Sequence, residues 1–564
     1  MNALVVALAV PAAVAWQLLL VRAGVIAARM YQIEEYESRR FLRWALRRSW
    51  VDHRAAVFAV AVAIAGYVAG LAAQTARPAT TAAAWLVGSL GAHALWRWPP
   101  AKRGLVWTAR MRRLASVAAL LAAGLSAGVA VVVVAQLQTA ASILVYAAAF
   151  FTLVAPLLLV AASVALSPVE AGIRRRYLAM ARARLREVHP TVIAVVGSYG
   201  KTSTKHILAR LLQPSIETLP TRKSFNTLMG VTRAINEDLA PQHRVFIVEM
   251  DAYAPGEIAA ICDLTHPTLA ILTSVGPQHL ERFGTIERIR DALYEVAAAL
   301  PPDGQLIVHT GDAGGVQLAA RAAAEGRGVV RYDLRSDSND TVADVVARDV
   351  LLDASGSRFR WSWPEQRLER DVSIPLLGRH QVLNVSAALA AVHLLGHDLE
   401  AAVRTAATLQ PVEHRLQPLA GGGPLTVIDD SYNANPVGVH NGLEVLAAMP
   451  GGARILVTPG LVELGSVEIA ENRRYGEHAA AVCDHVIVVS AAPAAALLEG
   501  LHSGGMAADR IHVVGGLDEG SGVLRTIARP GDVVLFANDL PDTYLPATVS
   551  NADRRIAGAN AQPG

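Results

Sequence analysis

Residues 191–212 read TVIAVVGSYGKTSTKHILARLL, the pattern of a short strand, a glycine-rich turn and a helix beginning near Lys205. The backbone amides of such a turn converge on phosphate oxygens, and the helix dipole strengthens the attraction. Lys201 can reach the β- and γ-phosphates, and the hydroxyl of Thr202 can bind Mg²⁺. The segment therefore predicts a nucleotide-binding site on a strand–turn–helix unit.

The residues after Pro190 alternate short β-branched runs with longer Ala- and Leu-rich stretches, which is the pattern of a parallel α/β sheet. We expect the strand–turn–helix unit to belong to a phosphate-loop ATPase with a parallel sheet.

The first part of the chain has a different composition. Residues 1–190 hold 21 Lys+Arg and 6 Asp+Glu, a net charge of +15, whereas residues 191–564 hold 30 and 42, a net charge of −12. About 20 apolar residues cross a bilayer as a helix. Five stretches approach that length, at residues 4–27, 55–73, 81–96, 114–135 and 141–166. We expect an α-helical transmembrane domain at residues 1–170 and a basic linker at residues 171–190.

The connections between these stretches predict an orientation, because short loops rich in Lys and Arg stay in the cytoplasm. Basic residues concentrate after the first, third and fifth stretches, whereas the second connection has only Arg77 and the fourth has no charge. Five spans therefore predict a multi-pass protein of the cell (inner) membrane, with its N-terminus outside and residues after 166 in the cytoplasm. Residues 31–50 are expected to form an amphipathic helix on the inner membrane surface or an ordinary loop helix.

Composition also disfavours several other classes of function. Nucleic-acid binding is disfavoured because the basic clusters flank apolar stretches and the second part is acidic. The two cysteines, Cys262 and Cys483, are too few for a disulfide framework or a Cys-based zinc site. A transport pathway is disfavoured because the apolar stretches carry few ionisable groups, chiefly Arg22 and His93.

The second part resembles the Mur ligases, which are ATP-dependent enzymes that add amino acids or dipeptides to peptidoglycan precursors. It is most similar to the branch that adds D-alanyl-D-alanine, and the similarity covers about residues 190–540. The motifs that carry it follow the glycine-rich turn in order: 224–226 with Gly230, 248–250 with 256–258, 267–273 with His279 and 283–284, 377–380 with Asn384, 414–415, 428–436 and 463–465. The ordered set is more specific than any one of its members. The resemblance implies a central ATP-binding domain at residues 191–408 and a smaller, Rossmann-like α/β C-terminal domain at residues 409–564.

The resemblance implies a set of site residues. ATP would be held by Gly197, Ser198, Gly200, Lys201, Thr202, Ser203, Asn384, Arg415, Asp429, Tyr432 and Asn433. Mg²⁺ would be held by Thr202, Glu249 and His279. Lys201, His279 and Arg415 would act in catalysis.

The chemistry follows from these residue types. A carboxylate must be activated before an amine can attack it, and transfer of the γ-phosphoryl group to the acid gives an acyl phosphate. The acceptor carboxylate and the triphosphate of ATP are both anions, so cations such as Lys201, Arg415 and one or two Mg²⁺ ions have to neutralise them as they approach each other. We expect ATP and Mg²⁺ as cofactors, and a carboxylate acceptor with an amino-acid or peptide amine as partners, in the synthesis of cell-wall or envelope precursors.

Three departures from the family pattern bear on the substrates. Leu293 stands where family members often carry a lysine that is modified to a metal-holding carbamate, and residues 536–542 stand where the dipeptide-adding branch has a substrate-contacting Lys-Gly-Ser. The membrane part takes the place of the domain that binds the UDP-sugar. These departures favour a lipid-linked or polymeric acceptor. The alternatives are a synthase of an amino-acid polymer such as polyglutamate and a catalytically silent, ATP-binding membrane scaffold.

Overall fold

The structure is a computed structural model, and the residues that it describes are all except 1–2, 35, 48–52, 73–76, 96–103, 135–153, 223–224, 335–342, 354, 420–424, 432–434, 463, 490–493 and 539–564. The described residues form two compact units, which divide between Ile173 and Arg174. The segment predicted as a linker, residues 171–190, is helical as far as Val188.

The first unit is built from helices. They are α1 (Ala3–Ile33), α2 (Ser38–Arg47), α3 (His53–Ala72), α4 (Arg77–Leu95), α5 (Ala109–Val134) and α6 (Val154–Val188), the last of which ends beyond the unit. Two helical segments among the described residues, Ala7–Ile33 and Ala155–Val188, are long and apolar enough to cross a membrane, and the apolar segment Val57–Gly70 is shorter. They correspond to the first and fifth predicted spans. The beginning of the fifth, residues 141–153, lies outside the described residues.

Helix α1 has one face packed inside the unit and another face exposed. Trp16 meets Trp85 of α4 edge to face, with ring centroids 5.8 Å apart. Arg22 Nη1 donates a hydrogen bond of 2.6 Å to the His93 carbonyl oxygen. Val14 and Leu18 are 56% and 57% exposed. An exposed apolar stripe on a long helix is suited to contact with lipid.

The predicted amphipathic segment forms the end of α1 and the short helix α2. Phe41 of α2 is fully buried and packs against Tyr31, with ring centroids 4.7 Å apart. It also stacks on Trp44 at 5.9 Å. Because this aromatic face is buried within the unit, the structure favours an ordinary loop helix over one that inserts its aromatic face into a membrane surface.

The second unit contains two sheets. The first sheet has the strand order β2-β3-β1-β4-β5-β6-β7-β8-β9, and its pairs are parallel from β2 to β7 and antiparallel from β7 to β9. Its strands are β1 (Thr191–Val196), β2 (Thr218–Pro220), β3 (Val245–Glu249), β4 (Leu269–Leu272), β5 (Gln305–His309), β6 (Gly328–Leu334), β7 (Val345–Asp353), β8 (Gly356–Trp363) and β9 (Leu368–Ile374). Its helices are α7 (Lys201–Leu212), α8 (Leu228–Asp238), α9 (Glu257–Thr265), α10 (Leu280–Phe283), α11 (Ile286–Ala299), α12 (Ala313–Ala324), α13 (Arg379–Leu394) and α14 (Leu399–Ala406).

The second sheet has the order β10-β11-β15-β12-β13-β14 and is parallel except for the pair β10–β11. Its strands are β10 (Gln417–Leu419), β11 (Thr426–Asp430), β12 (Arg454–Thr458), β13 (His485–Val489), β14 (Ile511–Val514) and β15 (Val533–Ala537). Its helices are α15 (Pro436–Ala448), α16 (Glu468–Val482), α17 (Ala494–Ser503) and α18 (Leu517–Ile527). The two sheets agree with the predicted pair of α/β folds.

Strand β1 lies between β3 and β4 in the first sheet, and Val192–Val196 are buried because helices cover both faces. The register pairs Val195 with Glu249 and Val196 with Leu272. The carboxyl ends of three neighbouring strands therefore meet at one edge. In open α/β sheets this is the edge where ligands bind.

Candidate functional site

The glycine-rich turn joins β1 to α7 through two glycines in the left-handed region. Gly197 has φ 136° and Gly200 has φ 82°. A Cβ atom at Gly197 would stand 2.3 Å from Thr273 Oγ1, and one at Gly200 would stand 2.8 Å from Asn384 Oδ1. Helix α7 begins at Lys201, so the prediction of a start near Lys205 was wrong, because Gly200 turns the chain directly into the first helical residue.

Ser198 fixes the turn against the segment that follows β4. Its hydroxyl donates to the Gly276 carbonyl oxygen and accepts from the Gly276 amide, each at 2.9 Å. The Ser198 amide donates to the Ser274 carbonyl oxygen at 2.8 Å. These bonds hold the backbone of the turn in place from outside, as a rigid phosphate cradle requires.

Lys201 is buried and its ammonium group has three oxygen neighbours. It donates to the Gly197 carbonyl oxygen at 2.6 Å and to Gln278 Oε1 at 3.3 Å. Its Nζ atom is also 3.2 Å from Asp251 Oδ1. The phosphate-binding cation predicted from the sequence therefore already has a carboxylate counter-ion, Asp251, which the sequence had not identified as a site residue.

Glu249 and Thr202 meet beside the turn, as the predicted metal site requires. The Thr202 hydroxyl lies 3.1 and 3.0 Å from the two carboxylate oxygens of Glu249. Asn226 Nδ2 donates to the same carboxylate at 3.2 Å. Lys205 Nζ reaches it at 2.9 Å, and the Lys205 and Glu249 side chains are 0% and 2% exposed. A hydroxyl and a carboxylate beside a phosphate cradle are oxygen ligands of the kind that Mg²⁺ prefers.

Lys205 is a further neighbour of the site that sequence reasoning missed. It is one helical turn beyond Lys201, a spacing at which the two side chains share one face of a helix. Fully buried lysines are rare unless an anion pairs with them. A second lysine at this spacing was therefore the available signal for a partner such as Glu249.

His279 lies beside Asp251, and both residues line a small cavity with Gly197 and Ser198 of the turn. Its Nε2 atom is 4.0 Å from Asp251 Oδ2, and its ring packs edge-on against Tyr253 at 4.6 Å. Among the described residues, no group of three or more His, Cys, Asp or Glu side chains is arranged to hold a metal ion without other ligands. The structure thus joins two of the three predicted metal ligands and places the third beside Asp251.

Asn384 lies beneath the turn rather than in an open pocket. It is 5% exposed, and its Oδ1 atom accepts from Thr204 Oγ1 at 3.1 Å. Its Nδ2 atom donates to Gln381 Oε1 at 3.1 Å. The side chain expected to contact ATP therefore supports Gly200 and the first turn of α7.

The predicted residues of the second sheet lie at its edge. His414 Nδ1 is 2.6 Å from Asp429 Oδ2, and the Ser431 amide donates to Asp429 Oδ1 at 3.0 Å. Burial raises the pKa of Asp429, but these bonds outweigh it, so the net pKa lies below its usual value. Tyr432 and Asn433 lie outside the described residues.

Arg415 acts electrostatically on groups of both sheets. Burial, together with the Arg415 charge, lowers the pKa of His380 at the start of α13 to about 4. Burial raises the pKa of Asp430 to about 7, and Arg415 opposes that rise. Asp430, which also accepts a 3.2 Å bond from the Leu416 amide, is a second acid that the sequence did not single out as a site residue.

One cavity lies along α7 and a second adjoins the glycine-rich turn. The larger, about 270 Å³, is the one along α7 and is lined by Ser203, His206, Ile207, Arg210, Leu376, Gln381, Thr408, Leu409, Gln410 and Val412. Burial and the neighbouring Lys205 lower the pKa of His206 below its usual value. The smaller cavity, about 10 Å³, is lined by Gly197, Ser198, Asp251, Ala252, Gln278, His279, Phe283, Ile289, Ala292 and Leu293.

The segment expected to contact the amine substrate is described only in part. Phe536 and Ala537 end β15, and Asn538 Nδ2 donates to the Gly460 carbonyl oxygen at 2.6 Å. The Asn538 amide donates to the Asp430 carbonyl oxygen at 3.2 Å. Residues 539–542 lie outside the described residues.

Family models match both sheets of the second unit. The Mur ligase middle domain matches residues 195–392, and the Mur ligase, glutamate ligase domain matches residues 414–538. The chain is 34% identical over 369 residues to UDP-N-acetylmuramoyl-tripeptide–D-alanyl-D-alanine ligase of Mycobacterium tuberculosis, covering 61% of this chain and 69% of that protein. It is 32% identical over 305 residues to the protein of that name from Escherichia coli, covering 54% and 65%.

Solved structures agree with these matches. MurF ligase from Thermotoga maritima in complex with ADP is similar with a TM-score of 0.56 at 26% identity, over 65% of this chain and 80% of that chain. MurF from Acinetobacter baumannii gives a TM-score of 0.56 at 28% identity, over 64% and 77%. The ordered motifs, the two sheets and the phosphate turn all coincide with these matches. The chain therefore belongs to the Mur ligase family of ATP-dependent, amide-bond-forming ligases.

Proposed function

We propose that this protein uses ATP to join the carboxylate of a cell-envelope precursor to the amine of an amino acid or dipeptide, through an acyl phosphate, at the inner surface of the cell membrane. The relatives named above act on a UDP-N-acetylmuramoyl-tripeptide and D-alanyl-D-alanine, as their names state. The observation that carries the proposal is the phosphate turn with Lys201, flanked by the Thr202–Glu249 pair.

ATP fits these elements in one orientation. The triphosphate would lie on the turn at residues 197–203, because its amides and Lys201 are the groups that bind phosphate. The adenine would then occupy the 270 Å³ cavity along α7, where the His206 ring and the Gln381 amide lie beside the apolar side chains of Ile207 and Leu376. Asn384 would contribute by fixing the turn through Gly200 and Thr204 rather than by direct contact with the base.

Mg²⁺ fits the oxygen ligands of Thr202 and Glu249, and when bound it would neutralise phosphate charge. The chain supplies further positive charge. Lys201 would exchange its contact with Asp251 for phosphate oxygens, and Arg415 would approach the phosphates from the second sheet. His279 would lie on the acceptor side of the turn, so Lys201, His279 and Arg415 keep the catalytic roles that the resemblance implies.

We propose that residues 191–408 and 409–564 form the two catalytic domains. The nucleotide would bind between them. Tyr432, Asn433 and Asp429 belong to the wall formed by the second domain in this proposal. Arg415 influences the pKa values of His380 and Asp430, which belong to different sheets, and this supports its location between them.

Residues 1–170 would anchor the enzyme as a domain of five spans, with a cytoplasmic catalytic part. Two apolar helical segments of sufficient length and the exposed apolar stripe of α1 support an anchor. The alternation of basic and non-basic connections supports the orientation and the larger number of spans. The family models begin at residue 195 and do not cover the helical first unit. We propose a lipid-linked or polymeric acceptor at the membrane surface because such a substrate would give that unit a role in the reaction.

The test is to incubate the detergent-purified full chain with ATP and fractionated envelope precursors, and to measure phosphate release together with the mass of any amide-linked product. We expect release of phosphate that requires both an acid and an amine, with a single mass addition. A ladder of additions would instead identify a polymer synthase. No release with any pairing would identify a nucleotide-binding scaffold and contradict the proposal.

A further inference from the structure

Asp251 occupies a position between two predicted catalytic groups. It lies two residues beyond the end of β3, and its amide donates to the Asn226 carbonyl oxygen at 2.9 Å. Its Oδ1 atom accepts from the Ala252 amide at 3.0 Å and lies 3.2 Å from Lys201 Nζ. Its Oδ2 atom lies 4.0 Å from His279 Nε2. One carboxylate, 14% exposed, thus faces both the phosphate-turn lysine and the histidine.

The smaller cavity is lined in part by this carboxylate. Its other polar lining residues include Ser198, Gln278 and His279, and its apolar lining residues include Phe283, Ile289, Ala292 and Leu293. Asp251 is therefore the one acid among the residues that line it. Leu293 is 6% exposed and can supply neither an anion nor a metal ligand. A cation bound in this cavity would therefore take its negatively charged ligand from Asp251.

The separation of Asp251 Oδ2 and His279 Nε2 is informative. At 4.0 Å the two atoms are too far apart for a hydrogen bond. Two ligand atoms that each lie about 2.1 Å from the same octahedral Mg²⁺ are up to about 4.2 Å apart. Mg²⁺ is usually held by one or two carboxylates together with substrate phosphates rather than by an all-protein cage. Two protein ligands therefore suffice, which agrees with the lack of a larger cluster among the described residues.

Lys201 explains how the carboxylate becomes available. In the structure Asp251 balances the buried ammonium group of Lys201. Triphosphate oxygens on the turn would compete for that charge, and the carboxylate would then face the developing negative charge without a counter-ion. A divalent cation is the group that satisfies both anions.

We propose that Asp251 and His279 hold a second Mg²⁺ when ATP is bound, with Asp251 supplying the anionic ligand that Leu293 cannot supply. The first Mg²⁺ would be held by Thr202 and Glu249. This inference rests on the proposed function, because it requires ATP on the phosphate turn.

The test counts metal ions directly. The full chain in detergent is titrated with Mn²⁺ in the presence of a non-hydrolysable ATP analogue, and bound Mn²⁺ is measured by electron paramagnetic resonance. We expect two ions per chain in the wild type. Asp251→Asn should retain the nucleotide and one ion, and should weaken the second ion at least about tenfold. His279→Gln should lose the same ion. The matched control Asp291→Asn removes an exposed acid from α11 and should retain both ions.

Nucleotide binding, measured in the same samples, separates the two proposals and reports whether each variant is folded. A wild type that binds nucleotide with a single Mn²⁺ would overturn the second site and leave the proposed function intact. The same conclusion would follow if Asp251→Asn bound both ions with unchanged affinity. A wild type that binds no nucleotide would overturn the proposed function together with this inference.

Discussion

Lys205 forms a buried ion pair within the site. It is fully buried and pairs with Glu249, which is also held by Thr202 and Asn226. Replacing one member of a buried pair leaves an uncompensated charge and costs about 3–5 kcal/mol.

We therefore expect Lys205→Met to lower the free energy of unfolding by about 3–5 kcal/mol, measured by denaturant titration of the second unit. Lys205→Met combined with Glu249→Gln should be less destabilised than the single variant, because the orphaned carboxylate is removed. If the two substitutions simply add, the pair is not coupled.

His309 gives a prediction about pH. It lies at the end of β5 between two carboxylates. Its Nδ1 atom is 3.5 Å from Asp312 Oδ2, and its Nε2 atom is 3.4 Å from Asp333 Oδ1. Burial alone lowers the pKa of His309, but the two carboxylates outweigh burial and raise the pKa to about 9. A group with a raised folded-state pKa contributes stability that is complete below its unfolded value of about 6.5 and is lost as pH rises through the folded value.

Stability should therefore fall between about pH 6.5 and 9, and the decline should be absent from His309→Gln. Thermal unfolding of the wild type and the variant across this range measures the difference. The upper limit is about 3 kcal/mol, because each unit of pKa shift corresponds to about 1.4 kcal/mol. An identical pH profile for both proteins would contradict the assignment.

The sequence predicted residues whose roles depend on local pattern. Lys201 and Thr202 follow from their place in a strand–turn–helix segment, and Glu249 follows from the resemblance of its segment to a strand-end motif of the Mur ligases. Asp251 was missed because its partners Lys201 and His279 are distant in sequence, and no local pattern records those contacts. His309 was missed because one of its two carboxylate partners, Asp333, lies in another strand. The burial of Asn384 was missed for the same reason, since it depends on how α13 packs beneath the turn.

At the scale of elements, the start of α7 depends on Gly200. Its φ is 82°, and the Asn384 side-chain oxygen lies only 2.8 Å from the position that a Cβ atom would take, so a side chain has no room there. Gly256 at the start of α9 has a similar φ of 91° with no atom within 4 Å of the corresponding position.

We expect Gly200→Ala and Gly256→Ala to share a backbone cost of about 1–2 kcal/mol. Only Gly200→Ala should also weaken nucleotide binding, because it displaces Asn384 and the first turn of α7. Binding of a fluorescent ATP analogue to both variants measures this. Equal affinities would show that close packing at Gly200 does not shape the cradle.

The helices of the first unit show where apolar pattern is insufficient. Apolar composition located the helices, but α1 continues to Ile33 and α6 to Val188, past the apolar stretches and into polar or basic residues. Hydropathy predicts which part of a helix can lie in the hydrocarbon core of a membrane. The helix itself extends further, as long as the following residues have sufficient helix propensity. The five predicted spans therefore remain a prediction, supported by two segments of sufficient length among the described residues.

At the scale of the whole molecule, charge and structure divide the chain at nearly the same place. The units divide between Ile173 and Arg174, close to the change from a net charge of +15 to one of −12. We expect a protein beginning at Arg174 to remain in the soluble fraction and to bind an anion exchanger, with residues 1–173 expressed alone recovered in membranes. Fractionation of cells that express each part tests this, and recovery of the Arg174 protein in membranes would contradict the division.

The most direct measurement of the central claim is the stoichiometry of ADP and amide product formed by the purified full chain. The proposed ligase predicts one ADP for each amide bond. It also predicts a loss of both products of at least about a hundredfold in Lys201→Ala, since a preorganised cation at the transferring phosphoryl group is worth that much or more. The exposed-site variant Arg233→Ala should match the wild type. Amide product formed without ADP, or at an unchanged rate by Lys201→Ala, would contradict the account.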